Sequence, residues 1–295
     1  MKEGYQPFLE RKRMTRLGEA VARELRRQKR PVIEDLQLWS ILRDIYKERS
    51  VGYLRGEAPT LATLNRVKDV LRTERIISRD HDYARAWRVN AVPDGEADEV
   101  VCLLDEGTCV SHLSAMQAFR LSERRPQTLF ITVASNERWR TLIDSPDAQE
   151  EVALPRQRRH HPATVRSRRL DVYQTRAFPK TTQLKASFAR LSDIGETFLD
   201  MLNQPERCGG MAHVLDVFEN HAATYLRQIV DRVDRSETKL TKVRAGYILT
   251  ERLGLRNATA ESWVRFAQRG GSQRLDPKAP YRPQFSERWM ISLNV

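Results

Sequence analysis

The sequence predicts an α+β chain built from two domains, and three observations predict it. Three amphipathic segments followed by a short basic hairpin lie within the first ninety residues. A turn-rich polar stretch, Pro93-Asp94-Gly95-Glu96, then interrupts the pattern. Beyond it, short apolar strands alternate with helical patterns in a segment too long for one small core. The boundaries that follow are residues 1–96 and 97–295. The first part has the layout of a winged helix-turn-helix, and the second reads as a larger mixed α/β domain.

Taken in order, residues 17–30 carry apolar positions at helical spacing. Residues 32–49 follow, apolar around much of their girth through Leu36, Leu38, Trp39, Ile41, Leu42, Ile45 and Tyr46, as a central helix should be. Pro31 is expected to open that helix, where its fixed φ helps and no amide hydrogen is needed. Gly52 and Gly56-Glu57-Ala58-Pro59 break the pattern before a third helix over 60–73. There Leu61, Leu64, Val67 and Leu71 are expected to face the core, leaving Thr63, Asn65, Arg66, Asp69, Arg72 and Thr73 outward. Asn and Arg are the side chains that best match adenine and guanine edges in the major groove. Any solvated helix also carries Arg and Asp outside, so this face gains meaning from its neighbours. Residues 75–89 read as two strands around Asp80-His81-Asp82, bearing Arg79, His81, Arg85 and Arg88, and a basic arm with Arg13 and Arg16 precedes the first helix.

In the second domain, residues 100–104 read as a buried strand and 128–133 as a strong one, with weaker alternation over 151–154 and 169–173. Residues 111–116 read as a short helix capped by Ser111. Helical patterns then cover 194–202, 211–219, 222–233 and 238–253, closed by Gly254, and a last strand is expected within 288–295.

Composition narrows the function classes. Of 295 residues, 40% are hydrophobic, which supports real cores, and 31% are charged. No apolar run approaches the roughly 20 residues of a membrane-spanning helix, and the first residues lack a signal-peptide core, so a cytoplasmic location is expected. Cys102, Cys109 and Cys208 form no C-x-x-C pair and read as buried thiols. The net charge of +12 is graded: 21 basic against 15 acidic residues in 1–96, 15 against 11 in 97–192, and 15 against 13 thereafter. A basic excess predicts attraction to polyanions. Its densest run is Arg156, Arg158, Arg159, Arg166, Arg168 and Arg169, which reads either as a solvated loop or as a surface for nucleic acid or an acidic partner.

No catalytic constellation stands out. Ser111-His112 would be a nucleophile and base, but neighbours on a helix diverge by about 100° and are not expected to bond each other. His160-His161 lacks further ligands, and no glycine-rich phosphate loop is present; Gly209-Gly210 reads as a turn before a helix. No cofactor and no metal are expected. The competing enzyme reading is a metal-dependent nuclease with Asp105, Glu106 and Glu151 as ligands, although the lysine of the usual Glu-x-Lys triplet is missing.

Three stretches resemble a known family. Cys109-Val110-Ser111-His112-Leu113-Ser114-Ala115-Met116, followed by Thr128-Leu129-Phe130-Ile131-Thr132, resembles a segment of AbiEi-type antitoxins of abortive-infection toxin–antitoxin systems. Glu196-Thr197-Phe198-Leu199-Asp200-Met201-Leu202 with Pro205 and Cys208-Gly209-Gly210 is similar to a second block, with Glu196 where Arg is commoner. Arg244-Ala245-Gly246-Tyr247-Ile248-Leu249 with Arg252-Leu253-Gly254 is similar to a third. Order and spacing agree over roughly residues 15–295. The resemblance implies a cytoplasmic, non-enzymatic antitoxin that represses its own operon through the winged helix. Its partners would be double-stranded operator DNA, with inverted repeats in its own promoter, and a nucleotidyltransferase-like toxin. The arginine run from Arg156 to Arg169 is then the expected antitoxicity surface.

Overall fold

A computed structural model describes residues 14–143, 160–268 and 273–295. The chain is mixed α+β. It divides into two compact units: among the described residues, 14–96 with 160–161 form the first and the remainder the second.

The first unit opens with α1 (Arg16–Gln28). The Thr15 hydroxyl caps its N-terminus by accepting from the Gly18 amide at 3.2 Å, and Lys29, at φ 55°, ends it in the left-handed region. Val32–Ile33 form β1, not the start of a helix. Their β-branched side chains favour extended backbone, and the helix start is specified later, by the reciprocal capping box of Glu34 and Gln37. Pro31 therefore leads a strand, and its carbonyl accepts from the Val89 amide. Helix α2 runs Asp35–Lys47, and α3 runs Leu61–Thr73 behind the N-cap Thr60. Leu64, Val67 and Leu71 of α3 are buried as expected, but Leu61 is 38% exposed: as the first helical residue it lies beyond the rim of the core. Strands β2 (Ile77–Arg79) and β3 (Trp87–Val89) pair antiparallel, and β1 joins the far side of β3, giving the order β1-β3-β2. Val21, Leu25, Ile33, Leu38, Leu42, Leu64, Leu71, Ile77 and Trp87 pack into one core.

The second unit opens with α4 (Ala97–Leu104), where a strand is expected from sequence. Asp98 and Glu99 in its first turn suit a helix N-terminus, and burial of Ala97, Val100 and Val101 follows three- and four-residue spacing. Then follow β4 (Thr108–Val110), α5 (His112–Ala118), β5 (Thr128–Ala134), α6 (Asn136–Ile143), β6 (Thr164–Val165), β7 (Arg168–Thr175), β8 (Thr181–Gln183) and β9 (Arg190–Ser192). The strands form one mixed sheet in the order β6-β7-β5-β4-β9-β8. β5 and β7 run parallel in continuous register from Thr128↔Arg169 to Ala134↔Thr175. Arg190 on β9 donates to the carbonyls of Cys102 (2.6 Å), Asp105 (2.7 Å) and Thr108 (3.2 Å), so one side chain satisfies the end of α4 and the turn after it.

Helices α7 (Ile194–Asn203), α8 (Met211–Asp234), α9 (Lys239–Gly246) and α10 (Ala258–Ser262) complete the unit, with the hairpin β10 (Phe285–Ser286) and β11 (Ile291–Ser292). The two helices read over 211–233 are one 24-residue helix kinked at Tyr225, where φ is −107°. A 3₁₀ turn, Pro205–Cys208, precedes α8. It closes through Gly209 and Gly210 at φ 91° and 92°, as a turn should there. A π-helical turn, Tyr247–Arg252, continues α9. Phe198 and Phe218 meet edge to face at 5.0 Å in the core that also holds Trp263 and Trp289. No helix among the described residues is long and apolar enough to cross a membrane.

Candidate nucleic-acid interface

The outward face of α3 is polar and accessible: Asn65, Arg66, Asp69, Arg72 and Thr73 are exposed, opposite the buried Leu64, Val67 and Leu71. Thr63 has a local duty. Its amide donates to the Thr60 hydroxyl at 3.2 Å and the two hydroxyls lie 3.0 Å apart, so its side chain belongs to the helix cap. Arg13 lies outside the described residues.

The loop between β2 and β3 is organised by Asp80. Its buried carboxylate accepts from the amides of Asp82 and Tyr83, each at 3.0 Å, and its own amide donates to the Ala86 carbonyl. That turn presents His81 and Arg85 to solvent, with His81 3.5 Å from Asp82. Arg79 is exposed, and its guanidinium sits 3.7 Å from the centre of the Trp87 ring. Arg88, expected beside these as a DNA ligand, points the other way. It donates to the carbonyls of Pro31 (3.0 Å), Val89 (2.6 Å) and Val92 (2.7 Å) and pairs with Asp94 at 3.2 Å, leaving its side chain 16% exposed. The sequence cannot separate it from Arg85, because alternation along a two-sided ribbon depends on where β1 docks.

Two residues of this region were not singled out from sequence. Trp87 donates its indole N–H to Asp35 at 2.7 Å, and Lys68 pairs with the other Asp35 oxygen at 2.7 Å. The bonds join α2, α3 and β3. The signal available in the sequence was a tryptophan between arginines in a strand of the hairpin, which also reads as ordinary core. His161 groups with this unit: its Nδ1 lies 3.0 Å from the Tyr83 hydroxyl.

Of the arginine run, Arg156, Arg158 and Arg159 lie outside the described residues. Arg166 and Ser167 form the two-residue turn between β6 and β7, both at positive φ (47° and 63°), as the twist of a tight hairpin demands. Arg168 donates to the Pro126 carbonyl at 3.3 Å, and Arg169 is exposed. These three sit on an ordered hairpin at the edge of the sheet.

Of the three carboxylates of the competing enzyme reading, the two among the described residues have different surroundings. Asp105 is buried and accepts from the Gly107 amide (2.8 Å), the Thr108 hydroxyl (2.7 Å) and the Trp139 indole (2.8 Å), which makes it the hub of a loop. Glu106 is exposed, and Glu151 lies outside the described residues. Among the described residues no group of three or more His, Cys, Asp or Glu is arranged to hold a metal ion.

Ser111 and His112 do bond each other, at 2.7 Å between Oγ and Nδ1, contrary to the expectation for helix neighbours. Ser111 is extended (φ −144°) and His112 lies at φ 50°, so helical geometry does not apply to the pair. Nor does the Ser111 hydroxyl cap α5. Thr132 donates to it at 2.8 Å, and His112 Nε2 lies 2.5 Å from the Gln204 carbonyl oxygen. Since that oxygen can only accept, Nε2 carries the proton and Nδ1 accepts from Ser111. Burial pushes the His112 pKa down to about 4, so the ring is neutral. With both residues buried, this chain of hydrogen bonds ties β5, the end of β4, α5 and the residue after α7 together. Burial also raises the three thiols, Cys102 to about 11, which leaves them protonated packing groups.

No family model matches the chain, and no curated protein matches it. Among solved structures it is similar to the RV2827C protein from Mycobacterium tuberculosis, at 13% identity and a TM-score of 0.50 over 95% of this chain and 92% of that one. At that identity the likeness is one of fold alone.

Proposed function

We propose that the chain is a duplex-DNA-binding repressor and antitoxin of the AbiEi type. The observation that carries the reading is the first unit: helix, strand, two helices and a hairpin, with the sheet order β1-β3-β2, an order that supports reading it as a winged helix. In this reading α3 enters the major groove, where Asn65 and Arg66 meet base edges. Arg72, Arg79, His81 and Arg85 meet phosphates beside it, which fixes register and lends salt-dependent affinity. The operator is proposed to be an inverted repeat upstream of its own gene. The arginine run ending in Arg166, Arg168 and Arg169 serves antitoxicity against a nucleotidyltransferase-like toxin encoded beside it, and the role requires neither a catalytic group nor a cofactor.

The test is a gel shift of the full chain on the duplex upstream of its own gene, against an unrelated duplex of equal length. A shift of its own duplex at concentrations that leave the other free is the expected result. Equal binding to both, or to neither, overturns the repressor reading. Co-expression with the neighbouring gene tests the second half. Rescue by the wild type, lost when Arg158, Arg159, Arg166 and Arg168 are changed to Glu in a protein that still folds, is expected; undiminished rescue by that variant removes the arginine run from the antitoxic surface.

A further inference from the structure

We infer that Trp87 is a positioning residue that holds Arg79 of the hairpin and Arg72 of α3 as a single clamp for one DNA phosphate. The inference rests on the nucleic-acid reading above and assigns the part of the interface where the third helix meets the wing.

Three cations surround one indole. The Arg79 guanidinium is 3.7 Å from the ring centre, Arg72 is 5.8 Å away and Lys68 is 5.9 Å away. The ring does not adapt to them, because it is held from behind. Trp87 is almost wholly buried, its indole N–H is bonded to Asp35, and Asp35 is locked by Lys68. Lys68 is thereby neutralised and half-buried, while the two arginines remain exposed. Arg72 has only a long 3.5 Å contact with Asp69, itself exposed, and among the described residues no carboxylate lies within ion-pair range of Arg79. Two guanidinium groups from separate elements thus lie within 5.8 Å of one ring centre, with less negative charge than would neutralise them. Like charges brought together this way repel unless an anion sits between or beside them.

The contact at 3.7 Å suits Arg specifically. A planar guanidinium lies on an indole face with its N–H donors in plane: Arg79 Nη1 donates to the Ala84 carbonyl at 3.3 Å, and the remaining donors can fork onto phosphate oxygens, whereas an ammonium is only a point charge. A fixed aromatic base reduces the rotamer freedom that an exposed arginine otherwise loses on binding. Trp87 would therefore act through Arg79 and Arg72, without touching DNA itself.

The experiment uses the full chain, its own promoter duplex and an unrelated duplex, with affinities measured across a series of salt concentrations. Arg79→Lys retains the charge and removes the planar contact. Affinity for both duplexes is expected to fall by about three- to thirtyfold while the salt slope stays that of the wild type. A slope retained with affinity lost, in a variant that melts like the wild type, is an outcome that neither a merely structural nor a merely electrostatic role produces. Arg72→Ala and Arg79→Ala should each lower the slope by less than one unit, and together by about one, the single phosphate they share. Because both serve one phosphate, the double variant should lose far less than the product of the single losses. Trp87→Leu should mimic Arg79→Lys; if it fails to fold, the Arg79→Lys and double-variant results decide. Wild-type affinity in Arg79→Lys, or multiplicative losses in the double variant, overturns the clamp while leaving DNA binding intact. Failure of the wild type to bind any duplex overturns the nucleic-acid reading and the clamp with it.

Discussion

At the scale of single residues, the outward face of α3 and Arg88, which follows Trp87 in sequence, make different predictions. Asn65→Ala or Arg66→Ala should cost about 1–3 kcal/mol on the operator and relax preference at the contacted base, with melting unchanged, since both side chains are exposed. Arg88→Ala should do the reverse. It removes one donor from each of the Pro31, Val89 and Val92 carbonyls, the first two of which keep a backbone donor, and should lower stability by about 1–3 kcal/mol, with the DNA salt slope intact. Urea melts beside salt-series binding separate the two; a lower slope in Arg88→Ala would return that residue to the interface. A second pair concerns protons. His112 is held near 4, below its ordinary value, by burial, so its contribution to stability is present above about pH 6.5 and is lost as pH falls toward 4. Asp200, which accepts the His112 amide, is pushed up to about 7 by burial and by Glu196, against Arg232 and Arg207; it favours the native state when protonated, so stability is lost as pH rises from about 4 to 7. The two slopes oppose each other across nearly the same window. Asp200→Asn should therefore raise the melting temperature at pH 7.5 and leave it near wild type at pH 4. An equal change at both values would mean that Asp200 does not titrate in that range.

At the scale of elements, Gly246 at the end of α9 shows how packing reverses a propensity rule. Glycine to alanine in a helix ordinarily gains about 1 kcal/mol. A Cβ here would lie 2.1 Å from the Trp289 ring, which is fully buried and has no space to yield. Gly246→Ala is expected to destabilise by about 1–3 kcal/mol or more, read as a lower denaturation midpoint; a higher midpoint would show that Trp289 can move. Elements whose pattern was strong were legible in the sequence. Helices α1, α3 and α7 and strands β5 and β7 fall within a few residues of their expected spans. The errors have physical causes. Residues 100–104 are apolar without interruption, and such a run fits a buried strand and a buried helix equally until Asp98 and Glu99 are read as a first turn. Val32–Ile33 became a strand because β3 offered it an edge far away in sequence, at Arg88 and Trp87. Of the candidate site, the exposed face of α3 was legible from periodicity alone. The inward turn of Arg88 and the cations around Trp87 were not, since both depend on that same non-local pairing.

At the scale of the whole molecule, the first unit closes its core within residues 14–96. Among the described residues, its buried cluster runs from Val21 to Val89. A fragment of residues 1–96 is accordingly expected to fold alone, shift operator DNA and fail to rescue cells from the toxin. A random-coil circular-dichroism spectrum, or rescue by the fragment, would contradict that division. The chain nevertheless returns to this unit once more, at His161, whose ring meets the Tyr83 hydroxyl. During synthesis the helices and hairpin emerge first and can fold while the later sequence is still being made, because domains fold as units from the N-terminus. The tyrosine–histidine bond can form only after a further stretch of translation, about sixty-five codons beyond Glu96, and at several residues per second that delay is on the order of several seconds. The hairpin thus exists first as a nascent-chain structure without this bond and later as a finished one with it, so a ribosome stalled in between would display a hairpin whose Tyr83 still lacks its histidine partner.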